Sequence, residues 1–362
     1  MLAKNIILYK QEIPLKTPFK TALRCVSTLE SIIIEIQTEN GITGYGSASP
    51  TAAITGETIP SIFYAITDYI FPAIKNKVID SSVFKIISNS IEHNTSAKSA
   101  VETAIYDLLS KNAGLPLFQY LGGKDIKKLD NDITISLNDP DIMYSDAITA
   151  KKNGINIFKI KLGGSSDEDI RRINAVSKAT GDSKLRLDAN QAWDFNTAYE
   201  IIDYCVSRNL SVEFIEQPFK AHQIKLMSEL KHLSKIPILA DESVFNSSDA
   251  EDIVAKDAAD YINIKLAKCG GLTDAIKICN IAKAANKQCL IGCMLESPIG
   301  IIAAAHLATA FDIISMHDLD VVELIKYNPI ISDVQFYPNS ITVGTNTGLG
   351  VNNISEVIRF IG

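Results

Sequence analysis

Five short runs in the middle of the chain are apolar until they end on ionisable side chains. IFKIK ends with Lys159 and Lys161, LRLD with Asp188, EFIE with Glu216, ILAD with Asp241 and NIK with Lys265. The steps between these ends are nearly equal, each the length of a strand, a helix and their turns. Residues two apart in a strand share a face, so Lys159 and Lys161 project together from an otherwise apolar element. Three carboxylates at one height are costly unless a cation neutralises them. An all-oxygen set with no Cys or His beside it suits Mg²⁺, one ion per subunit, with Mn²⁺ as a substitute. Lys265 lies four strands round from the lysine pair and so faces it across that metal. A lysine beside a divalent cation and another lysine loses proton affinity and becomes a base near neutral pH. Two bases facing each other across a metal-bound carboxylate predict a 1,1-proton transfer. One removes the proton from the carbon α to the carboxylate and the other returns a proton to the opposite face. On this reading Lys161 and Lys265 are the bases, and Lys159 with the metal steadies the enolate. Any one of these residues alone is commonly a snorkelling strand end or a helix cap. Six of them at the same end of five consecutive strands form a site.

The elements that must carry them are readable from the same pattern. Apolar strands are expected at 132–137, 157–162, 184–189, 212–216, 236–241, 261–266, 288–293 and 314–319, separated by helical stretches such as 167–180 and 272–286. Eight strand–helix steps describe a TIM-type α/β barrel, whose functional residues gather at the C-terminal ends of the strands. A doubly wound open sheet is the rival, disfavoured because no GxGxxG follows an early strand. Before residue 125 the pattern differs. An alternating strand at 29–37, a turn at Asn40-Gly41 and a strand at 42–48 precede helical stretches at 59–75, 81–91 and 97–113, an α+β arrangement.

A chain of 362 residues is long enough for two domains, and its net charge of −7 argues against a general nucleic-acid or membrane surface. The sequence begins with neither a basic segment nor an apolar signal stretch, and no apolar run reaches spanning length, so a cytoplasmic protein is expected. The six cysteines form no CxxC pair and read as free thiols. The five histidines show no ligand spacing; His317 adjoins a candidate substrate loop as a supporting group.

KIK at 159–161, LDAN at 187–190, EQP at 216–218, ADES at 240–243 and NIKLAKCGGLTDA at 263–275 resemble the motifs of the enolase superfamily. The likeness is to its muconate-lactonizing-enzyme subgroup, and within that to dipeptide epimerases. It covers essentially the whole chain. It implies an α+β capping domain over 1–125, a (β/α)7β barrel over 126–330, and a tail over 331–362, including GLGV at 348–351, that returns to the capping domain. It also implies a Mg-dependent isomerase that inverts the Cα of the C-terminal residue of L-Ala-Glu-type dipeptides, with recycling of peptidoglycan peptides as its setting. ISMHDLD places Asp318 and Asp320 at the end of strand eight, and paired carboxylates suit an ammonium group. This Asp-x-Asp looks like the epimerase signature that binds the substrate's amino terminus. Arg24, in TALRCVST, falls in the family's specificity loop, where an arginine would pair with a glutamate side chain. Thr134 and the backbone of GCM, which includes Cys293 and Met294, resemble positions that touch the dipeptide. Muconate cycloisomerases, o-succinylbenzoate synthases and N-acylamino acid racemases share the lysines and metal ligands and stand as alternatives, as does a catalytically silent metal-binding homologue. The expected partner is a small-molecule dipeptide, with no nucleic acid and no membrane; a homo-oligomer is left open.

Overall fold

The computed structural model describes residues 1–360, which open on three antiparallel strands: β1 (Ala3–Lys20), β2 (Cys25–Thr38) and β3 (Thr43–Ala48). β2 and β3 form the expected hairpin, with Ile36 opposite Gly44 and Ile32 opposite Ala48. The strand β1 has no counterpart in the sequence reading, because Pro14 and Pro18 interrupt its pattern. It forms as the partner of β2, with a register shift between Pro14 and Phe19. Alternation gives β2 two apolar faces. Ile32, Ile34 and Ile36 pack with the helices of this unit, while Leu29 and Ile33 join Ile13 and Leu15 in the core shared with the barrel. The helices run through Ile59–Tyr64, a π-helical Ala65–Ile70 and Phe71–Ile74, then Ser82–Asn89 and Thr95–Asn112. The last lies so close to β3 that a Cβ on Gly46 would stand 2.0 Å from the Ala100 carbonyl oxygen.

After a short strand β4 (Lys128–Asp130) come eight parallel strands. They are β5 (Ile133–Ile135), β6 (Ile157–Lys161), β7 (Lys184–Asp188), β8 (Val212–Glu216), β9 (Ile238–Ala240), β10 (Tyr261–Ile264), β11 (Gln288–Gly292) and β12 (Ile314–Asp318). Each pairs with its neighbours in chain order, which is a barrel and not a doubly wound sheet. Helices follow each strand from β5 to β11, beginning with Pro140–Lys152 and ending with Pro298–Ala310. Several strands end one or two residues sooner than their apolar runs. Asp241, Lys265 and Cys293 therefore occupy the first position beyond β9, β10 and β11. The lower barrel is filled by Phe214, Leu239 and Leu290 with Tyr261 and Met316. Where β5 and β12 meet, a single backbone bridge, Asn131 to His317, joins the strand ends among the described residues.

The segment beyond β12 forms five small strands, β13 (Ile330–Ser332), β14 (Gln335–Tyr337), β15 (Ser340–Thr342), β16 (Val351–Ile354) and β17 (Val357–Arg359). β15 pairs with β14 and β4, β13 with β16, and β17 with the outer edge of β1. Leu117 N donates to Gly348 O at 2.7 Å, and Leu349 N to Asp107 Oδ1 at 2.8 Å. The last two residues of the expected tail, 361–362, lie outside the described residues. All six cysteines are free, and no helix among the described residues is long and apolar enough to cross a membrane.

Candidate active site

β6, β7 and β8 pair so that Lys161 stands opposite Asp188 and Asp188 opposite Glu216, with one register shift between β7 and β8 at Leu185–Arg186. The inward face of the barrel mouth thus collects the ionisable ends. Lys159 is 1% exposed, and its Nζ lies 2.6 Å from Asp318 Oδ2, 2.7 Å from Glu216 Oε2 and 3.1 Å from Asp188 Oδ2. Lys161 Nζ lies 2.6 Å from Asp188 Oδ2, and Lys265 Nζ 2.7 Å from Asp241 Oδ2. Lys159, Lys161, Asp241 and Lys265 line one cavity, and Asp188 and Glu216 are fully buried against Lys159. Arg24, Thr134, Cys293, Met294, Asp318 and Asp320 line the same cavity. Asp318 ends β12, and Asp320 sits two residues on, at the start of the short helix Val321–Leu324; both are buried. Cys293 Sγ contacts the Asp318 carbonyl at 3.3 Å. His317 points away, its Nδ1 2.8 Å from Asp130 O.

The loops behind these strands are tied down. Asp169 accepts from Gly163 N, Gly164 N and Trp193 Nε1 at 2.8–3.0 Å, joining the loop after β6 to the loop after β7. Gln217, with a left-handed φ of 38°, accepts from Asp241 N and Ser243 N and donates to Ser243 Oγ, fixing the loop after β8 to that after β9. The β1–β2 tip carrying Arg24 closes with Thr21 N donating to Arg24 O. It seats on Gly163, where a Cβ would stand 2.6 Å from Ala22 Cβ.

Charge is tightly shared here. Burial opposes ionisation of Asp188, yet Lys161 and Lys159 hold its carboxyl down to about 2. Glu216 is pushed up to about 7 by burial and then by Asp188. Asp320 is pushed up to about 6 by burial and Asp318. Burial works against the Lys265 ammonium, but Asp241 raises its proton affinity above the ordinary lysine value. Among the protein's own groups this runs opposite to the expected loss of proton affinity, and its cause is an ion pair that the sequence reading did not count.

Several buried polar residues escaped that reading. Lys268 places its amine 2.5 Å from both Asp241 Oδ1 and Asp241 O. Glu242 lines the cavity and is pushed up to about 8 by burial and Asp241. Glu296 Oε1 accepts from Met294 N at 2.9 Å and orders the turn after β11. Asn263 Nδ2 donates to Glu216 Oε1 at 2.9 Å. Arg186 Nη1 donates to Asp132 Oδ2 at 2.7 Å. Asp132, Arg186 and Asn263 each precede a site residue by two positions, and that shared parity was the available signal.

An eight-stranded barrel with ionisable groups at its strand ends, under an α+β unit, defines a class that comparison with known proteins identifies. The chain belongs to the mandelate racemase / muconate lactonizing enzyme family: the family's N-terminal domain matches residues 3–122, and an enolase C-terminal domain-like region matches 143–356. Among its relatives, an L-Ala-D/L-Glu epimerase of Clostridium acetobutylicum is 38% identical, covering 98% of this chain and all of that protein. A substrate-liganded L-Ala-D/L-Glu epimerase from Bacillus subtilis superposes with a TM-score of 0.96 at 37% identity, covering 98% of this chain and 100% of that one. A dipeptide epimerase from Enterococcus faecalis, in complex with Mg and L-Leu-L-Tyr, superposes with a TM-score of 0.93 at 36% identity, covering 98% and 100%. Relatives named for acidic and for hydrophobic dipeptides are thus about equally similar to it.

Proposed function

We propose that the chain is a Mg²⁺-dependent dipeptide epimerase that inverts the Cα of the C-terminal residue of L-Ala-Glu-type dipeptides. The observation that carries this reading is one cavity lined by Lys161 and Lys265 on strands four apart, with Asp318 and Asp320 buried at the same mouth. Lys161 and Lys265 are assigned as the catalytic residues. One takes the α-proton of the second residue onto its amine, and the other delivers a proton to the opposite face. For either to accept, its ammonium must first lose its proton, so Asp188 and Asp241, which hold them, also tune them. Lys159 sets a positive charge against the negative charge that develops on the substrate carboxylate.

The donor set fits a hard divalent cation. Asp188, Glu216 and Asp241 offer only oxygen and are buried, Asn263 orients Glu216, and burial followed by the neighbouring Asp188 opposes the Glu216 charge, which a bound cation would favour. These three carboxylates are assigned to hold Mg²⁺, which when bound draws charge from the substrate carboxylate as a Lewis acid. Asp318 and Asp320 are assigned to the free α-ammonium, with Thr134 and the backbone of Cys293 and Met294 along the peptide. Arg24 has no ion-pair partner among the described residues, which supports a role with an acidic second side chain. A lyase on a diacid, or an N-acylamino acid racemase, has a substrate with no ammonium group to bring to Asp318 and Asp320. We assign the working units as a capping domain 1–125, a barrel 126–330 and a tail 331–362. The free thiols support a reducing, cytoplasmic setting. The test is a panel of L-Ala-L-Xaa dipeptides in D₂O, read by mass spectrometry. Deuterium at the Cα of the second residue, greatest for glutamate, is the expected result; no exchange on any dipeptide refutes the reading.

A further inference from the structure

The meeting of β5 and β12 is stitched by side chains where a backbone ladder would otherwise run. Leu319 N donates to Asn131 Oδ1 at 2.8 Å, Thr134 N donates to Asp320 Oδ2 at 2.7 Å, and Arg186 Nη1 donates to both Asp132 Oδ2 and His317 O at 2.7 Å. Asp318 and Asp320 therefore each have an oxygen already engaged, Asp318 on Lys159 and Asp320 on the Thr134 amide. Beneath them lies Asp132, fully buried, with one oxygen on Arg186 and Oδ1 without any partner. One carboxylate oxygen from each of Asp132, Asp318 and Asp320 lies within 4.8 Å of the other two.

We infer that Asp132 is the third carboxylate of the ammonium subsite, and that its charge makes this subsite select a cationic substrate terminus. This rests on the dipeptide reading above. The charge count gives the reason. Asp132, Asp318 and Asp320 bring three negative charges, and Lys159 and Arg186 bring two positive ones. Remove Asp132 and the remaining charges cancel, leaving nothing for an ammonium group to neutralise. Lys159 is shared with Asp188 and Glu216, and Arg186 with Glu213; Lys161 and Lys265, which also favour the Asp318 charge, are each paired with a carboxylate of their own, Asp188 and Asp241. A buried net charge is unfavourable until a counter-charge arrives. Burial, and then the neighbouring Asp318, push the Asp132 carboxyl up despite Arg186, so its charged form is favoured only when a counter-charge such as a substrate ammonium is beside it.

The test compares L-Ala-L-Glu with N-acetyl-L-Ala-L-Glu in the Mg²⁺-loaded wild type and in Asp132→Asn. Asparagine keeps the size of the side chain and an acceptor for Arg186, so the strand junction stays tied. Asp132→Ser is the second neutral variant, and circular dichroism with thermal melting checks that each is folded. The wild type should prefer the free dipeptide. Both variants should lose that preference by roughly tenfold or more, chiefly through a raised KM for the free dipeptide. A folded variant that loses activity equally on both substrates, or keeps the wild-type preference, overturns the inference and leaves Asp132 as a tie at the strand junction. A wild type that turns over both substrates equally overturns the dipeptide reading beneath it.

Discussion

Replacing Arg24 with methionine removes a charge while keeping most of the apolar stem. The guanidinium is half-buried, burial holds its pKa below the usual arginine value, and no carboxylate of the described residues lies within ion-pair distance. It is a charge partly stripped of water with no carboxylate among the described residues to compensate it. A substrate γ-carboxylate placed against it makes a charge-assisted hydrogen bond, worth about 1.5–3 kcal/mol. Losing that bond predicts a fall of roughly tenfold to 150-fold in kcat/KM for L-Ala-L-Glu. L-Ala-L-Leu has no such carboxylate, and its turnover should change by less than about threefold, the range expected of a surface side chain that makes no contact. The assay is deuterium incorporation at Cα from D₂O, with initial rates measured for both dipeptides in wild type and Arg24→Met. The informative quantity is the ratio of the two losses. Equal losses would refute the assignment, because they would mean that the side chain supports the loop and does not read the substrate. Unchanged activity on L-Ala-L-Glu would refute it as well.

Lys161→Ala and Lys265→Ala should each abolish epimerisation with the fold retained, and each should exchange deuterium into at most one stereoisomer; wild-type turnover by either ends the two-base assignment. Chelation with EDTA should silence the enzyme and Mg²⁺ should restore it, while Glu216→Gln should weaken metal affinity in calorimetric titration, since it removes one of three formal charges from the site. Glu102, on the helix Thr95–Asn112, accepts from Thr273 N at 2.6 Å and is pushed up to about 7 by burial from its ordinary 4.5. A carboxyl whose folded pKa is raised favours the fold below pH 4.5, and that contribution is lost as pH rises towards 7, where a buried charge must be carried. Glu102→Gln should therefore stabilise the protein at pH 8 by up to about 3 kcal/mol and change little at pH 4, as read by urea unfolding at both values.

The barrel and its mouth were legible in the sequence because parallel strands are buried on both faces. A lysine or aspartate closing such a run stands out against its apolar neighbours, as Lys161, Asp188 and Glu216 do. Asp318 and Asp320 were legible instead as a spaced carboxylate pair at the end of strand eight, and the structure adds that Asp320 already spends an oxygen on the Thr134 amide. Other features carry no periodic signal. β1 contains Pro14 and Pro18 and exists because β2 offers it a long edge. Lys268 returns to Asp241 from a single helical turn, Leu266–Cys269, whose direction only the folded backbone sets. The 2.7 Å contact of Lys265 with Asp241, which sets the direction of its shift among the protein's own groups, is a distance that spacing along the chain does not encode.

The two-faced ribbon of β1 and β2 has an evolutionary consequence. Its body is committed on one side to the capping helices and on the other to the barrel, so change there is paid for twice. Its tip at 21–24 belongs to neither core: Ala22 and Leu23 are exposed, and the tip is held mainly by its own turn hydrogen bonds and its seat on Gly163. Substitutions at the tip alter what the cavity meets at little cost to folding. The tip can therefore change its side chains while both cores, and the ionisable strand ends at the barrel mouth, stay as they are.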